Sequence, residues 1–363
     1  MVQKPDTPLR RGWTTGACAT AAVKAAYTAL LTGHFPDPVE ITLPRGQKSA
    51  FSLACEHLGG GEAMAGIVKD AGDDPDVTHG ATIVATVRPA LPKTGVVFKA
   101  GAGVGMVTKP GLPIPAGEPA INPVPRLMMR SVIEELARAQ GVSGDVEIEI
   151  SVPGGEGLAH KTWNPRLGII GGLSILGTTG IVVPFSCAAW IASIHRGIDV
   201  ARATDTAHIG AATGATSEMA VRRRCNLTEG EMIDMGDFAG GMLKYLKGHP
   251  VPRLSIGGGF AKLTKLSQGH LDLHSGRSQI DLDWLAERVA SLGGDNALIA
   301  AVRGANTAME VLGLAVAGNL PLGDLVAKAA RETALRVLSN APMAVEVVVF
   351  DREGNLVGAA HGW

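Results

Sequence analysis

Three groups of residues in this chain carry chemistry by type and spacing. The first is Lys69-Asp70-Ala71-Gly72-Asp73-Asp74-Pro75-Asp76-Val77-Thr78-His79-Gly80, which places four carboxylates within seven residues. Crowded carboxylates can take up a proton, bind a cation or accept hydrogen bonds from a ribose diol. The same residue types also build a solvated turn. Asp73, Asp74 and Asp76 are therefore candidate bases or diol ligands, without the bidentate glutamate of an EF-hand. The second group is glycine: Gly101, Gly103 and Gly105 after an apolar run, and Gly171-Gly172-Leu173-Ser174-Ile175-Leu176-Gly177-Thr178-Thr179-Gly180. Clustered glycines let backbone N–H groups approach an anion or a cofactor. Neither segment is a dinucleotide fingerprint or a Walker loop, so a structural glycine loop competes with the ligand reading. The second segment, with the hydroxyls of Ser174, Thr178 and Thr179 in a charge-free stretch, is the better ligand candidate.

The third group is positive charge. Arg126 enters a helix after Asn122-Pro123, where a cation opposes the helix dipole; an anionic partner would account for it, and an unpaired surface arginine is the commoner alternative. Lys262 and Lys265 follow the Gly257-Gly258-Gly259 turn at i, i+3 spacing, so they share a helical face, with His270 and His274 beyond. An exposed helical face is the plain alternative. Cys18, Cys55, Cys187 and Cys225 lie far apart in sequence, and no metal site has local support.

The elements that must position these groups follow from periodicity. Thr14-Thr15-Gly16 caps an alanine-rich helix over 19–31 with one apolar face. Strands are expected at 39–43, 81–87, 95–99 and 146–152, with a hairpin joining 49–55 to 63–68 around Gly59-Gly60-Gly61 and an amphipathic helix over 126–139. This is an α+β pattern over 1–154. Beyond Gly154-Gly155, short strands alternate with helices at 187–194, 217–224, 238–246 and 261–267. More helix follows at 283–291, 307–314 and 322–338, and a hairpin over 344–360 ends the chain. Alternation predicts an α/β domain with a parallel sheet over 155–363. The charge-free stretch 167–194 is long enough to span a bilayer, but its glycines and Pro184 predict strand, loop and helix instead.

A net charge of −1 argues against a general nucleic-acid binder, and 46% hydrophobic residues against disorder. Scattered cysteines and a first stretch without an apolar signal core predict a reducing, cytoplasmic location.

In order, RGWTTGACA at 11–19, KDAGDDPDVTHG, GAGVGMVTKPGL, GEPAINPVPR, TWNPRLGIIGGLSILGTTGIV and GGFAKLTKLSQGHLDLHS resemble the cobalt-precorrin-5B C(1)-methyltransferase family, CbiD. The likeness spans essentially the whole chain; Trp13, Ala17 and Phe260 depart from the family pattern. It implies transfer of a methyl group from S-adenosylmethionine to C-1 of a cobalt-bearing tetrapyrrole. It also implies a Rossmann-like α/β second domain and a fold distinct from that of the other corrin-ring methyltransferases. On this likeness Gly101, Gly103, Gly105, Gly172, Ser174, Gly177, Thr178, Thr179 and Gly180 are cofactor candidates. The substrate's carboxylates would meet Thr14, Thr15, Lys69, Lys109, Asn122, Arg126, Lys161, Asn164, Arg166, Lys262, Lys265 and His274. The expected partner is a small-molecule tetrapyrrole, with no nucleic acid and no membrane; a homo-oligomer stays open. A small-molecule kinase using magnesium and ATP, and a corrinoid carrier without catalysis, are the alternatives.

Overall fold

The computed structural model describes residues 8–363. Most of the first stretch read for a signal core, residues 1–7, lies outside the described residues. The chain divides into two compact units, Met1–Cys187 and Ala188–Trp363.

The first unit begins with β1 (Gly12–Trp13), α1 (Thr15–Thr32), β2 (Val39–Thr42), β3 (Lys48–Phe51), β4 (Cys55–Gly59), β5 (Glu62–Val68), β6 (Thr82–Pro89) and β7 (Val96–Ala100). It continues with β8 (Gly103–Val104), β9 (Met106–Val107), α2 (Pro123–Gln140), β10 (Val146–Ser151), α3 (Gly155–Ala159), β11 (Ile169–Ile170), β12 (Gly172–Leu173) and β13 (Ile181–Val182). Its main sheet has the order β4-β5-β6-β10-β7, antiparallel except for the parallel pair β10–β7. The alternation of Val146, Ile148 and Ile150 buries one face of β10, as its period of two requires. The hairpin at Gly59–Gly61 forms, but its first arm is Cys55–Gly59; the segment at 48–51 pairs with β2 instead.

Helix α1 departs from the amphipathic expectation. It is buried almost all round, from Thr15 through Ala29. Its alanines let the sheet and α2 approach closely, and a helix apolar on every side belongs in the core. Thr14 caps it, accepting from the Ala17 N–H at 3.2 Å, and Gly33 ends it in the left-handed conformation (φ 83°) that glycine adopts without strain.

The expected boundary at Gly154-Gly155 is corrected. After α3 the chain returns to its own unit: β12 pairs with β8, β11 with β9 and β13 with β1. Backbone ladders are not cut at a domain border, so the break falls after Cys187.

The second unit contains α4 (Cys187–Ala203), β14 (His208–Ala212), α5 (Ala215–Cys225), β15 (Met232–Asp234), α6 (Ala239–Gly248), β16 (Arg253–Gly259), α7 (Phe260–Ser267), α8 (Leu282–Ser291), α9 (Asn296–Arg303), α10 (Ala308–Ala317), α11 (Leu322–Leu338), β17 (Ala344–Phe350) and β18 (Leu356–Ala360). The strand order is β15-β14-β16-β17-β18; the first four run parallel and β18 returns antiparallel. Ala212, Val348 and Phe350 face α5 through Val221. Ile209, Ile256, Val345 and Val347 join the large core built with α4, α6, α7 and α11 on the other face. Both units are thus mixed α and β. Helix α9 is absent from the periodicity reading. No helix among the described residues is long and apolar enough to cross a membrane.

Candidate active site

The acidic loop folds on itself. Lys69 is 1% exposed, and its Nζ donates to Asp76 Oδ2 at 2.7 Å. Asp76 Oδ1 accepts from the N–H and hydroxyl of Thr78 at 2.8 and 2.6 Å. Burial works against ionisation of Asp76, but the bonds from Lys69 and Thr78 outweigh it and hold its carboxyl below the usual range. An ionised carboxylate with both oxygens engaged is a poor base, and a buried ammonium spent on it cannot grip a substrate. In this geometry Lys69 and Asp76 anchor the loop internally. Asp70 takes the Arg10 guanidinium, and that hydrogen bond lowers its pKa to about 2. Asp73 accepts from the Arg10 N–H at 2.6 Å, and Asp74 Oδ1 from the Phe185 N–H at 2.8 Å.

The structure brings the two glycine segments together, against each other. A Cβ on Gly103 would collide with the Val152 carbonyl, one on Gly172 with Gly103, and one on Gly105 with the Ile169 side chain and the Gly172 carbonyl. The N–H groups of Gly101, Gly103 and Gly105 donate to Ile150 O, Glu156 Oε1 and Leu173 O at 2.9, 2.7 and 2.9 Å. Close packing against backbone at Gly103 and Gly172, and against side chains at Gly101, accounts for glycine at these positions without a ligand. Ser174 is buried and donates to Asn164 Oδ1 at 3.1 Å, while Asn164 Nδ2 donates to Gly172 O at 3.0 Å. Both residues hold the loop rather than a ligand.

The remainder of that loop is different. Its 176–177 end seats on the start of α1: Gly16 N donates to Leu176 O at 2.8 Å, Leu176 N donates to Thr15 Oγ1 at 2.8 Å, and Gly177 lies against Thr14. Thr15 is buried in this joint and braces the loop, a correction to its substrate-binding role. Asn122 N donates to Ile175 O at 3.0 Å, so the start of α2 reaches the same place; the Asn122 side chain makes no cap bond. Among the described residues the N–H groups of Gly177, Thr178, Thr179 and Gly180 donate to no protein acceptor. Consecutive free N–H groups beside a helix start attract an anion.

Arg126 has its anionic partner, and it is internal. The guanidinium takes Glu118 Oε2 at 3.1 Å and the carbonyls of Ile121 and Pro119 at 2.8 and 3.0 Å. Four of its five N–H donors are engaged inside the protein, so Arg126 chiefly ties the 118–121 segment to the start of α2. The Lys109 stem lies over Gly168, Lys161 is exposed, and the Arg166 guanidinium sits 5.8 Å from the Trp163 ring centroid. Met106 and Ile170, paired across β9 and β11, expose 36% and 63% of their surfaces nearby. An apolar ledge with cations beside it suits a flat ligand fringed with carboxylates.

The second unit holds Lys262, Lys265 and His274. Lys262 Nζ contacts Asp237 Oδ1 and donates to Leu273 O at 3.2 Å; Lys265 Nζ donates to the same carbonyl at 3.1 Å. Lys265 is 6% exposed, and burial followed by the charge of Lys262 lowers its pKa. Lys265 braces the 270–278 loop and is corrected as a substrate grip. His274 is exposed, and its Nδ1 accepts from Gly276 N at 3.1 Å, tying the loop locally.

A candidate site that the sequence reading missed lies where the chain order of the sheet reverses, at the carboxyl ends of β14 and β16. Open parallel sheets bind ligands at such switch points. Gly214 begins α5 and Gly259 begins α7 there. Neither glycine is required by its backbone, since φ is 166° and −64°, and neither by packing, since a Cβ would meet nothing within 4 Å. These two glycines leave room beside two helix starts whose N-cap residues make no side-chain cap bond. Asp234 ends the neighbouring β15, twenty residues after Gly214. Trp190, 43% exposed, bonds the Asp234 carbonyl through Nε1 at 3.1 Å and lies 6.3 Å from the Phe238 ring. The signal was present as a strand, Thr213-Gly214, a helix and then a strand ending in aspartate, but without the three-glycine fingerprint.

Comparison with known proteins gives a consistent result. The sequence model of the CbiD family matches residues 2–184, and that of the CbiD C-terminal domain matches residues 272–361. A protein of Paramagnetospirillum magneticum named cobalt-precorrin-5B C(1)-methyltransferase is 60% identical over 356 residues, covering 98% of this chain and 99% of that one. One of the same name from Brucella anthropi is 61% identical over 349 residues, covering 96% and 95%. Among solved structures, a cobalamin biosynthesis protein (CbiD) from Archaeoglobus fulgidus is 30% identical, covers 74% of this chain and 83% of that one, and has a TM-score of 0.40.

Proposed function

This chain belongs to the CbiD family, and from that premise we propose that it methylates C-1 of cobalt-precorrin-5B in cobalamin biosynthesis, with S-adenosylmethionine as donor. The observation that carries the reading is 60% identity, over nearly the full length of both chains, to a protein bearing that name. Bound S-adenosylmethionine supplies a methyl group on a positively charged sulfur, open to in-line displacement.

The residues at the carboxyl ends of β14, β15 and β16 fit such a donor. Gly214 and Gly259 leave space for a ligand to approach backbone N–H groups, Asp234 offers a carboxylate for a ribose diol, and Trp190 offers a ring face for a purine. The strand order supports reading this unit as Rossmann-like, with the switch point as its nucleoside site. In the first unit we assign the substrate's acetate and propionate groups to Lys109, Lys161, the Asn122 amide and the N–H groups of 177–180. Charge-assisted bonds of this kind orient a polyanion without demanding a basic protein. Asp74, held through one oxygen by the Phe185 N–H, is the carboxylate we assign to proton removal.

The test is direct. Purified protein with authentic tetrapyrrole and S-adenosylmethionine yields S-adenosylhomocysteine and a product one methyl group heavier by mass spectrometry. An unaltered tetrapyrrole under those conditions overturns the reading.

A further inference from the structure

At the opposite, amino-terminal end of the second unit's sheet lies a cluster with no part in the chemistry above. His208 opens β14, Ser255 lies on β16, Glu346 on β17, and Cys225 is the last residue of α5. The registers pair Gly210 with Ser255 and Ser255 with Glu346. Strand side chains alternate faces, so His208, Ser255 and Glu346 all emerge on the face that α5 covers. One imidazole nitrogen, one sulfur and one carboxylate oxygen come within 4.8 Å of one another. We propose that His208, Cys225 and Glu346 form a binding site for a divalent cation of the zinc class.

Three observations carry this. The donor set is one nitrogen, one sulfur and one oxygen, the mixture that four-coordinate zinc accepts. Glu346 is 5% exposed, and the only basic side chain within salt-bridge reach among the described residues is the exposed His361, 3.8 Å away. A buried carboxylate without a firm counter-charge is costly, and a bound cation supplies one. Finally, the Ser255 hydroxyl sits amid the three ligands: 2.7 Å from His208 Nε2, 3.4 Å from Cys225 Sγ and 2.6 Å from Glu346 Oε1. It stands where an ion would sit. Rotation of the serine about Cα–Cβ, with an inward shift of the ligands, converts the hydrogen-bonded cluster into a coordination shell.

The protons balance. The thiol now donates to Glu346 Oε1 at 3.4 Å. Binding replaces that proton with the metal, so one proton leaves per ion and nothing is oxidised.

The experiment uses the full-length chain, stripped with a chelator and titrated with Co²⁺ and then Zn²⁺. Expected are one ion per chain, a thiolate-to-cobalt absorption band that zinc abolishes, and one proton released, read by calorimetry in buffers of different ionisation enthalpy. Cys225→Ser removes the band and weakens affinity at least a hundredfold, whereas Cys55→Ser, which changes an exposed thiol on the other unit, leaves both intact. Ser255→Ala separates the site from a plain hydrogen-bond network: it retains or tightens metal binding. Absence of saturable binding at micromolar metal overturns the proposal, as does a band that survives Cys225→Ser. If Cys225→Ser fails to fold, loss of binding in Ser255→Ala with folding intact is the overturning result.

Discussion

Lys69 and Asp76 give the sharpest test of the loop's internal anchoring. The pair is asymmetric: Lys69 is buried at 1% exposure, whereas the Asp76 side chain keeps 26% and two further bonds from Thr78. Asp76→Asn strands an ammonium in the interior without its counter-charge, which costs about 3–5 kcal/mol. For a unit of this size that lowers Tm by roughly 6–20 °C. Lys69→Met leaves a carboxylate that water and Thr78 still reach, so the loss is smaller, about 1–2 kcal/mol. The double variant has no stranded charge and is more stable than Asp76→Asn alone. Thermal denaturation of the four proteins measures the cycle, and steady-state kinetics accompany it. KM for the tetrapyrrole should stay within about twofold in Lys69→Met. The reasoning fails if Lys69→Met raises KM about tenfold, about 1.4 kcal/mol, while Tm is unmoved, because Lys69 would then be gripping substrate.

Asp234→Asn should weaken S-adenosylhomocysteine binding about tenfold by calorimetry, as loss of a charged diol acceptor does, and Gly214→Val should abolish it with the circular dichroism unchanged; full affinity in both would move the nucleoside site elsewhere. Lys265→Met should lower Tm without raising KM for the tetrapyrrole, and a pure KM effect would restore it as a substrate ligand. The Arg10–Asp70 ion pair contributes above the ordinary carboxylate pKa, about 4, and is lost as the pH falls toward the value of about 2 held in the fold. Exchange of the Gly72 and Asp73 amides should therefore accelerate across that interval, and protection that persists below it would show the loop to be held by something else. Cys18, buried and with its thiol raised to about 12 by burial, should resist alkylating reagents in the folded protein while Cys55 reacts.

Periodicity made the regular elements legible: β10 by alternation, α2 by its apolar face, and β14, β15 and β16 by their alternation with helices; β17 was legible as an arm of the final hairpin, not as the fourth parallel strand. It misplaced the boundary, because the pairs β1–β13, β8–β12 and β9–β11 join distant segments of two residues each, too short to carry a pattern. The glycines were conspicuous, but their meaning was not. Gly103 and Gly172 exist for each other and Gly214 for open space, a difference visible only once the neighbours of a Cβ are known. Cations were misread for a related reason. The partners of Lys69, Arg126 and Lys262 are loop carboxylates, two of them nearby in sequence and Asp237 farther off, and nothing in residue type distinguishes an internal counter-ion from an external one.

The pairing of β1 with β13 also has a consequence for how the protein is made. Gly12 leaves the ribosome early, and its partner Val182 is synthesised 170 residues later, roughly 10–30 s at ordinary elongation rates. During that interval the start of α1 lacks the segment that seats on it, and its alanine-rich surface has only the earlier strands to cover it. Translation in a single direction therefore delays closure of the first unit until its last strand emerges. Nascent chains arrested before residue 182 should stay protease-sensitive around residues 12–20, and chains released beyond it should be protected.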